Sequence, residues 1–454
     1  MITTEKSGVW ILSDAYHKDN AGYWDYKSTP SYELYAWASN MYAGTLSQGN
    51  QNPASSPVQI PGTNWSGEAS SNRTTLAMKN DGSLWIWGAN LYGSLGISHG
   101  FVTGYESRSS PVQLPGTQWN KIAENGSGYS DGPIVVTKTD GTLWVWGNNT
   151  TSNGGALGQG DTLPRSSPTQ IPGNQWGVPN VGGYFVQSLK TDGTLWSWGN
   201  NQSGQCGYGD KIPRSSPHQL PGTWSKTSST YYNSFGIKED GTLWSWGSNS
   251  NGELGHNDVI YRSSPVQIGS DTTWSEIASG SYYNAMATKT DGSLWVWGYP
   301  NHGTLGNNNQ TTMYSSPIQL PGTDWSNPTF FGGYTASCKK SDGSLWVWGY
   351  NGAGEFGLNY TTPISRSSPV QIPGTDWNIV SGHWSSGMGI KTDGSLWVWG
   401  YNSSGHLGLG DILQRSSPVQ VPGTWTNIAG GNTNSAGIKT DGSLWVWGYN
   451  GYGP

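Results

Sequence analysis

Residues 393–418 read DGSLWVWGYNSSGHLGLGDILQRSSP, and this stretch decides the fold. Its opening phrase, Asp-Gly-x-Leu-Trp-x-Trp-Gly, recurs along the chain with copies that begin at Asp81, Asp140, Asp192, Asp240, Asp291, Asp342, Asp393 and Asp441. The copies are 59, 52, 48, 51, 51, 51 and 48 residues apart. A nearly fixed period indicates one small structural unit that is built repeatedly. We therefore expect one large repeat domain in place of about three ordinary domains.

Each repeat contains four pieces that read as β-strands. A Trp after a Pro-Gly turn opens the first, small residues before Lys-x-Asp-Gly form the second, Leu-Trp-x-Trp-Gly is the third, and Ser-Ser-Pro-Val-Gln-Ile is the fourth. The Asp-Gly predicts a two-residue hairpin turn, because Asp tolerates positive φ and Gly supplies it. The third piece is apolar on both faces, so we expect it to be covered on both sides. Pro in the fourth piece predicts an edge strand, since Pro cannot donate to a ladder.

Small sheets that are apolar on both faces must stack on neighbours, and a closed ring of sheets meets that demand. The sequence thus predicts an all-β fold, a single β-propeller of four-stranded blades over residues 31–454, with a straight β-solenoid as the alternative. Residues 1–30 are expected to be an N-terminal extension or a degenerate first blade. Eight blades fit the repeat count, with a strand near residues 55–60 completing the last blade and closing the ring through the termini. Nine blades, with residues 10–62 as the ninth, and seven blades are alternatives.

Composition narrows the functional classes. Charged residues make up 11% of the chain and the net charge is −6, whereas a nucleic-acid footprint needs clustered Lys and Arg. Most Lys and Arg instead recur at fixed repeat positions, so no nucleic-acid partner is expected. Cys206 and Cys338 occupy apolar slots of the repeat, which predicts core residues without a disulfide or metal role. The N-terminus lacks a secretory signal and no stretch could span a bilayer, so no membrane insertion is expected.

Catalytic and cofactor-binding patterns are missing from the sequence. The seven His show no metal-ligand spacing, and neither a nucleophile elbow nor a phosphate-binding glycine loop is present. Asp and Arg recur four residues apart in one loop, first at Asp161 and Arg165. Because this pair repeats around the ring, it predicts a within-blade ion pair and not a catalytic pair. We therefore expect a protein that is not an enzyme and has no cofactor or metal.

Function is expected where the repeats differ from one another. The loop between the first and second strands varies in chemistry yet stays aromatic, and equivalent loops fall on one face of a ring. Tyr and Trp offer large, rigid contact area with a polar tip. The candidate ligand- or partner-binding residues are Tyr129, Tyr184, Tyr231, Tyr232, Tyr282, Tyr283, Tyr334, His383 and Trp384. The alternative is that these side chains fill the central channel.

A second candidate loop is an insertion over residues 89–107. It is longer than its counterparts in the other repeats, and long loops on a rigid scaffold often carry contacts. Its candidate contact residues are Tyr92, His99, Phe101 and Tyr105.

The repeat resembles that of the regulator of chromosome condensation family. The likeness rests on Asp-Gly-x-Leu-Trp-x-Trp-Gly-x-Asn, then Gly-x-Leu-Gly, then Arg-Ser-Ser-Pro, and it extends over residues 31–454. The resemblance implies a β-propeller, which in that family typically has seven blades, whereas the pieces here count to eight. It also implies regulatory functions, namely nucleotide exchange on a small GTPase or enzyme inhibition by a propeller face.

The Gly-, Ser-, Asn- and Thr-rich, weakly charged surface favours a different main hypothesis. It is typical of virion and extracellular proteins, and it suggests a binding or structural protein that serves adhesion as part of a larger assembly. Such a protein would recognise a protein or a glycan through one propeller face, on a virion or a cell surface. The alternative is a cytoplasmic regulatory interaction protein, such as a small-GTPase exchange factor or an enzyme inhibitor.

Overall fold

The structure is a computed structural model that describes residues 55, 60, 64–71, 74–98, 107–125, 132–150, 154–280, 283–331, 334–359, 365–382, 385–403, 405–430 and 434–448. All of them belong to one compact unit, Glu33–Pro454. The other unit, Met1–Tyr32, lies outside the described residues, and so does the expected N-terminal extension or degenerate blade. The regular secondary structure of the described segments consists of β-strands and of two 3-10 turns at Leu91–Gly93 and Asn301–Gly303. The all-β prediction is confirmed.

The strands form successive antiparallel sheets, which we number in chain order. Sheet 1 contains β1 (Trp65–Ser71), β2 (Thr74–Lys79), β3 (Leu84–Gly88) and β4 (Arg108–Gln113). Sheet 2 contains β5 (Trp119–Ile122), β7 (Pro133–Lys138), β8 (Leu143–Gly147) and β9 (Arg165–Ile171). The short β6 (Glu124–Asn125), which follows β5 in the chain, instead pairs in parallel with the first strand of sheet 3. Sheet 3 contains β10 (Trp176–Val181), β11 (Phe185–Lys190), β12 (Thr194–Gly199) and the first part of β13 (Arg214–Ser229). Sheet 4 contains the rest of β13, β14 (Asn233–Lys238), β15 (Leu243–Gly247) and β16 (Arg262–Gln267).

The second half of the chain repeats this plan. Sheet 5 contains β17 (Trp274–Ser279), β18 (Asn284–Lys289), β19 (Leu294–Gly298) and β20 (Tyr314–Gln319). Sheet 6 contains β21 (Trp325–Phe331), β22 (Thr335–Lys340), β23 (Leu345–Gly349) and β24 (Arg366–Ile372). Sheet 7 contains β25 (Trp377–Gly382), β26 (Ser386–Lys391), β27 (Ser395–Gly400) and the first part of β28 (Arg415–Gly430). Sheet 8 contains the rest of β28, β29 (Asn434–Lys439) and β30 (Leu444–Gly448).

The order of strands within a sheet follows the order in the sequence. The first strand of each sheet contacts the first strand of the next, so the first strands lie innermost and the Pro-containing fourth strands form the outer edges. This placement satisfies the prediction that the fourth strand is an edge strand. In sheets 3 and 7 the fourth strand runs directly into the first strand of the next sheet, as β13 and β28.

The Asp-Gly turns are longer than predicted. In sheet 1 the Lys79 N–H donates to the Ser83 carbonyl, and the Gly82 N–H donates to the Lys79 carbonyl, both at 2.9 Å, so the loop has three residues. Gly82 has a φ of 76°. Asp81 Oδ1 instead accepts the Ser83 N–H at 2.9 Å. The predicted two-residue turn is wrong, because Asp closes the loop with its side chain and only Gly has to adopt positive φ.

The Leu-Trp-x-Trp-Gly strands are covered on both faces, as predicted. In β15, Leu243 and Trp246 are fully buried and Trp244 is half-buried. Trp246 Nε1 donates a hydrogen bond to the carbonyl of Gln205 in sheet 3 at 2.8 Å. Equivalent bonds between neighbouring sheets join Trp146 to Ser94, Trp198 to Ala156, Trp297 to Glu253, Trp348 to Thr304 and Trp399 to Glu355. The second Trp therefore links adjacent sheets by a hydrogen bond as well as by apolar burial.

The described ends of the chain meet. The first strands contact one another in a cycle, β1, β5, β10, β13, β17, β21, β25 and β28, and β28 contacts β1 again. The Gly410 N–H donates to the Ser55 carbonyl at 2.8 Å, a bond that equivalent residues make to the fourth strand of the next sheet. Ile60 is buried against Leu444 of sheet 8 and Trp65 of sheet 1. Ser55 and Ile60 thus lie beside sheet 8, whose own described strands number three, and closure of the ring by the whole N-terminal segment stays a prediction.

The fold is a β-propeller, as predicted. The described residues form eight sheets around the cycle. Eight blades for the whole chain stay a prediction, because residues 10–62, the ninth blade of the alternative, lie almost wholly outside the described ranges. Cys206 and Cys338 are fully buried free thiols, which confirms their expected core positions, and burial raises the pKa of both.

Candidate functional site

The antiparallel sheets divide the propeller into two ends of different chemistry. The loops between first and second strands and between third and fourth strands emerge at one end, which we call the loop face. The Asp-Gly turns and the connections between sheets lie at the other end, the turn face. Thirteen large apolar side chains are exposed in the described ranges, and every one lies on the loop face: Tyr92, Leu163, Ile212, Tyr232, Val259, Ile260, Tyr261, Tyr283, Tyr299, Met313, Tyr401, Ile412 and Leu413.

The five most exposed of these side chains stand at the tips of four equivalent loops between third and fourth strands. One is Ile412, which is 60% exposed. The other four occupy equivalent positions and are Leu163, Ile212, Ile260 and Leu413, which are 64%, 60%, 62% and 64% exposed. Each is the third residue of an Asp-x-Leu/Ile-x-Arg sequence. Sequence reasoning noticed the Asp and Arg of this pattern but missed the aliphatic residue between them. The spacing within the pattern is the signal that could have found it.

A set of hydrogen bonds holds each aliphatic tip in place. In sheet 3, Asp210 Oδ1 accepts the Ile212 N–H at 2.9 Å, and the Arg214 guanidinium donates to Asp210 Oδ2 at 2.7 Å and to the Ile212 carbonyl at 2.9 Å. Buried Asn201 donates through Nδ2 to the same carbonyl at 3.2 Å. The backbone polar groups of the tip are therefore satisfied within the loop, and the apolar side chain is directed to solvent.

The predicted within-blade ion pairs are confirmed. The Arg–Asp distances are 2.6, 2.7, 2.6 and 2.5 Å for the pairs that begin at Asp161, Asp210, Asp258 and Asp411. The Arg165 guanidinium and then the Leu163 N–H hold the pKa of Asp161 below its usual range. The acid and base of each pair neutralise each other, so three of the four loops are close to neutral, and the loop of sheet 3 carries the additional cation Lys211.

The predicted aromatic residues also lie on the loop face, nearer the axis. The Tyr184 and Tyr231 rings, from neighbouring sheets 3 and 4, meet edge-on at 5.5 Å, and Tyr231 contacts Tyr232 at 4.3 Å. Tyr232 and Tyr283 are exposed, whereas Tyr184 and Tyr231 are half-buried. The structure therefore brings Tyr184, Tyr231 and Tyr232 together as one aromatic group across two sheets.

Of the other predicted residues, Tyr334 and Tyr92 are described in the structure and the rest are not. Half-buried Tyr334 packs on His302 at 5.3 Å, and His302 also contacts Tyr350 at 4.8 Å. Tyr92 of the second candidate loop is exposed and has a φ of 52°. The remaining predicted site residues lie outside the described ranges: Tyr129, Tyr282, His383, Trp384, His99, Phe101 and Tyr105.

The central channel is a cavity of about 1150 Å³ between the first strands of sheets 2 to 7. Its walls are formed largely by polar side chains and strand backbone, with Ile122, Ile277 and Ile379 among the apolar contributions. Tyr184, Tyr231, Tyr232, Tyr283 and Tyr334 do not line this cavity.

Three ionisable side chains are buried between sheets close to the loop face, at the second position of Gly-x-Leu/Phe-Gly. Glu253 and Glu355 are each 1% exposed, and His406 is 6% exposed. Burial raises the pKa of Glu355 to about 7, although its Oε2 accepts the Ala353 N–H at 2.8 Å. Burial lowers the pKa of His406 to about 4. Sequence reasoning missed these residues, because the position accepts Ser, Ala, Gln and Thr in other repeats.

The turn face is regular and polar. In sheet 4 the Lys238 Nζ lies 5.1 and 3.7 Å from the ring centroids of Trp224 and Trp244, and all eight sheets repeat this cation–π arrangement. The Thr242 hydroxyl and then the Thr242 N–H lower the pKa of Asp240 in the adjoining turn. This end presents the same motif from every sheet.

The described part of the chain contains neither a metal-binding cluster nor a membrane-spanning helix. No group of three or more His, Cys, Asp or Glu side chains there could hold a metal ion. No helix in the same ranges is long and apolar enough to cross a membrane.

Comparison with known proteins identifies the repeat. The regulator of chromosome condensation (RCC1) repeat matches residues 192–229, 240–287 and 393–438, and a second form of it matches residues 224–253. The chain is a repeat β-propeller of four-stranded sheets. More particularly, the matched segments within it are RCC1 repeats, as the sequence resemblance implied.

Relatives align with parts of the chain at low identity. The human E3 ubiquitin-protein ligase HERC2 is 27% identical over 205 residues, which are 42% of this chain and 4% of the ligase. The mitochondrial RCC1 domain-containing protein RUG3 of Arabidopsis thaliana is 26% identical over 311 residues, 66% of this chain and 56% of that protein. The secretion-regulating guanine nucleotide exchange factor of Bos taurus is 26% identical over 137 residues, 29% of this chain and 28% of the factor. The chain thus spans between 4% and 56% of the length of these relatives.

Solved structures share the fold. Human WBSCR16 superposes with a TM-score of 0.60 at 21% identity over 80% of this chain and 98% of that chain. Prp20p from Saccharomyces cerevisiae, in a structure whose title also names its binding to Gsp1p and histones, superposes with a TM-score of 0.60 at 17% identity over 85% and 93% of the two chains. At these identities the likeness establishes the fold alone.

Proposed function

We propose that this chain is a non-enzymatic interaction protein that docks a protein partner on its loop face. The observation that carries the proposal is the one-sided distribution of exposed apolar side chains, because every large one in the described ranges lies at this end. Apolar and aromatic groups that stay exposed on a soluble scaffold mark interaction sites. Hydrogen bonds fix the four loops that carry the aliphatic tips before any partner binds. These loops therefore lose little conformational entropy when a protein docks on them.

The partner's class follows from the charges of this surface. The exposed aliphatic tips stand beside Asp–Arg pairs that neutralise each other, so among these four loops only Lys211 offers an unbalanced positive charge to a polyanion. A protein partner with an apolar patch that covers these aliphatic tips fits this surface better than nucleic acid does. The tyrosines of sheets 3 and 4 would supply the anchor residues, which at protein interfaces are commonly aromatic.

Photo-cross-linking tests where the partner docks. A photoreactive amino acid is placed at Ile212 or Ile260 on the loop face, or at the exposed Glu239 on the turn face, and each purified protein is irradiated in an extract of its source. We expect the two loop-face positions to trap the same protein and position 239 to trap none of it. If position 239 traps the same protein, the proposal is wrong. If no protein is trapped and the chain binds glycans on an array instead, the partner is a glycan and not a protein.

Nucleotide exchange on a small GTPase is the second candidate function. It is favoured by the relative named as a secretion-regulating guanine nucleotide exchange factor. This likeness favours the cytoplasmic regulatory interaction protein over adhesion on a virion or cell surface. Release of fluorescent GDP from candidate GTPases would test this function. Acceleration by the chain that disappears on replacement of Tyr231 and Tyr232 by Ala would support it, and the absence of any acceleration would exclude it for the GTPases tested.

A further inference from the structure

The axial channel differs from the repeated scaffold in the charges that line it. Four lysines contribute to its wall, namely Lys121 on β5, Lys190 on β11, Lys226 on β13 and Lys339 on β22, and of these Lys190 packs on the rings of Trp176 and Trp196. The one carboxylate in the described lining is that of Glu276, whose Oε2 accepts the Asn327 N–H at 2.8 Å. The described part of the wall therefore carries a positive net charge inside a protein whose total charge is −6.

A bulge in the first strands places two of these lysines. The pairing of β5 with β7 shifts register between Trp119 and Lys121, and that of β13 with β14 shifts between Trp224 and Lys226. A bulge of this kind redirects the following side chains and bends the strand. The equivalent position carries Glu276 in sheet 5, so the scaffold is constant while the charge at this position varies between sheets.

Lys339 occupies a position that is apolar in most of the other sheets. The fifth residue of the second strand is Met78, Leu189, Ile237, Ile390 or Ile438 in five sheets and Thr137 or Thr288 in two, and it is Lys339 in β22. Lys339 Nζ donates to the carbonyl of Asn378 in sheet 7 at 2.5 Å, and both residues line the cavity. Lys339 therefore departs from the apolar side chain that most sheets place here, and it adds a positive charge to the cavity wall.

A second departure lies on the same strand. Ser337 lines the cavity at a position that holds Phe235, Met286 or Met388 in sheets 4, 5 and 7 and the polar Gln187 in sheet 3. Its side chain is fully buried, and its Oγ has no hydrogen-bond partner among the described residues. An unpartnered buried hydroxyl is unfavourable, and an acceptor atom from a ligand would satisfy it.

We propose that the channel binds a small organic anion with more than one negatively charged group, held by Lys226 and Lys339 with the Ser337 hydroxyl as a further donor. The volume of about 1150 Å³ admits such a molecule with its water. The lysines lie on different sheets, which favours a ligand whose charges are separated over a monovalent anion. Polycarboxylates and phosphorylated metabolites share this chemistry, and the experiment below distinguishes them.

Calorimetric titration of the full chain with citrate and with pyrophosphate, at low and at near-physiological salt, tests the proposal. We expect at least one probe to bind at both salt concentrations, and the preferred probe assigns the ligand to carboxylates or to phosphates. Lys339→Met restores a side chain that the repeat tolerates at this position in β2, so this variant should fold. It should weaken binding roughly tenfold or more, since hydrogen bonds to charged groups are among the strongest.

Two further variants keep the result specific to the channel. Lys226→Gln should also weaken binding, whereas Lys211→Gln, which removes a lysine packed on Tyr261 on the loop face, should leave it unchanged. If neither probe binds, or if the Lys226 and Lys339 variants bind as the unaltered protein does, the proposal is wrong. Equal weakening by Lys211→Gln would assign the binding to general surface charge and would also overturn it.

Discussion

The loop face and the turn face are made by the same strands, yet they differ in what they repeat. At the turn face every sheet presents one Lys between two Trp rings and one Asp that closes its own turn. At the loop face, side chains at equivalent positions change from sheet to sheet in size, charge and exposure. A repeat array can vary only those positions that packing between sheets does not constrain. The contrast therefore separates scaffold from recognition within one chain.

The largest effect is expected where the scaffold links two sheets. Trp297→Ala removes a fully buried ring and its hydrogen bond to the Glu253 carbonyl. Truncation of a buried Trp typically costs about 3–5 kcal/mol, so the free energy of unfolding should fall by about that amount. Denaturant unfolding followed by tryptophan fluorescence measures the change. If the free energy of unfolding falls no more than in a loop-face variant such as Ile260→Ala, the contacts between neighbouring sheets do not dominate stability.

The next effect is pH-dependent and belongs to the loop-face end alone. The folded pKa of Glu355 is raised to about 7, so its stabilising contribution is fully present below the unfolded value near 4.5 and is lost as pH rises through 7. Glu355→Gln removes the buried charge, and the variant should exceed the unaltered protein in stability by on the order of 3 kcal/mol at pH 8.5. At pH 4.5 the two proteins should be nearly equal.

Matched unfolding curves at the two pH values check this prediction. Glu239→Gln, an exposed change on the turn face, is the control and should shift stability little at either pH. An identical difference between Glu355→Gln and the unaltered protein at both pH values would contradict the assignment. His406 has the opposite dependence: its folded pKa is lowered to about 4, so its contribution is present above the unfolded value near 6.5 and is lost as pH falls.

The contrast between the ends also explains what could be predicted from the sequence. The period of the Trp-rich phrase predicts the strands, their stacking and the common face of the aromatic loops, because these depend on residue type and spacing. The outward direction of Ile212 depends on bonds from Asp210 and Arg214 to the loop backbone, and spacing alone does not reveal it. Ser337 and Lys339 are visible as departures only after β22 is aligned with the other second strands.

A smaller effect is expected from the bonds that hold a loop tip. Asn249 is fully buried and donates through Nδ2 to the Asp258 and Ile260 carbonyls, while its Oδ1 accepts the Leu254 N–H at 2.8 Å. Asn249→Ala leaves the Asp258 carbonyl and the Leu254 N–H without this partner, while the Ile260 carbonyl keeps its bond from Arg262, and the loss should cost about 1–3 kcal/mol. Hydrogen exchange should rise over residues 256–261. Thr272→Ala, an exposed change at the turn face, is the control, and equal exchange in both variants would contradict the holding role.

The smallest effect on stability is expected at the tip that this network presents. Ile260 is 62% exposed, so Ile260→Ser removes little buried area, and the free energy of unfolding should change by no more than about 0.5 kcal/mol. If the loop face docks a partner, the same variant should still weaken capture of that partner by several-fold, because the lost contact is made only in the complex. Ile260→Ser would then weaken partner capture with little change in the free energy of unfolding, whereas Trp297→Ala would lower the free energy of unfolding. A marked loss of stability with Ile260→Ser would instead assign this side chain to the scaffold and remove it from the recognition surface.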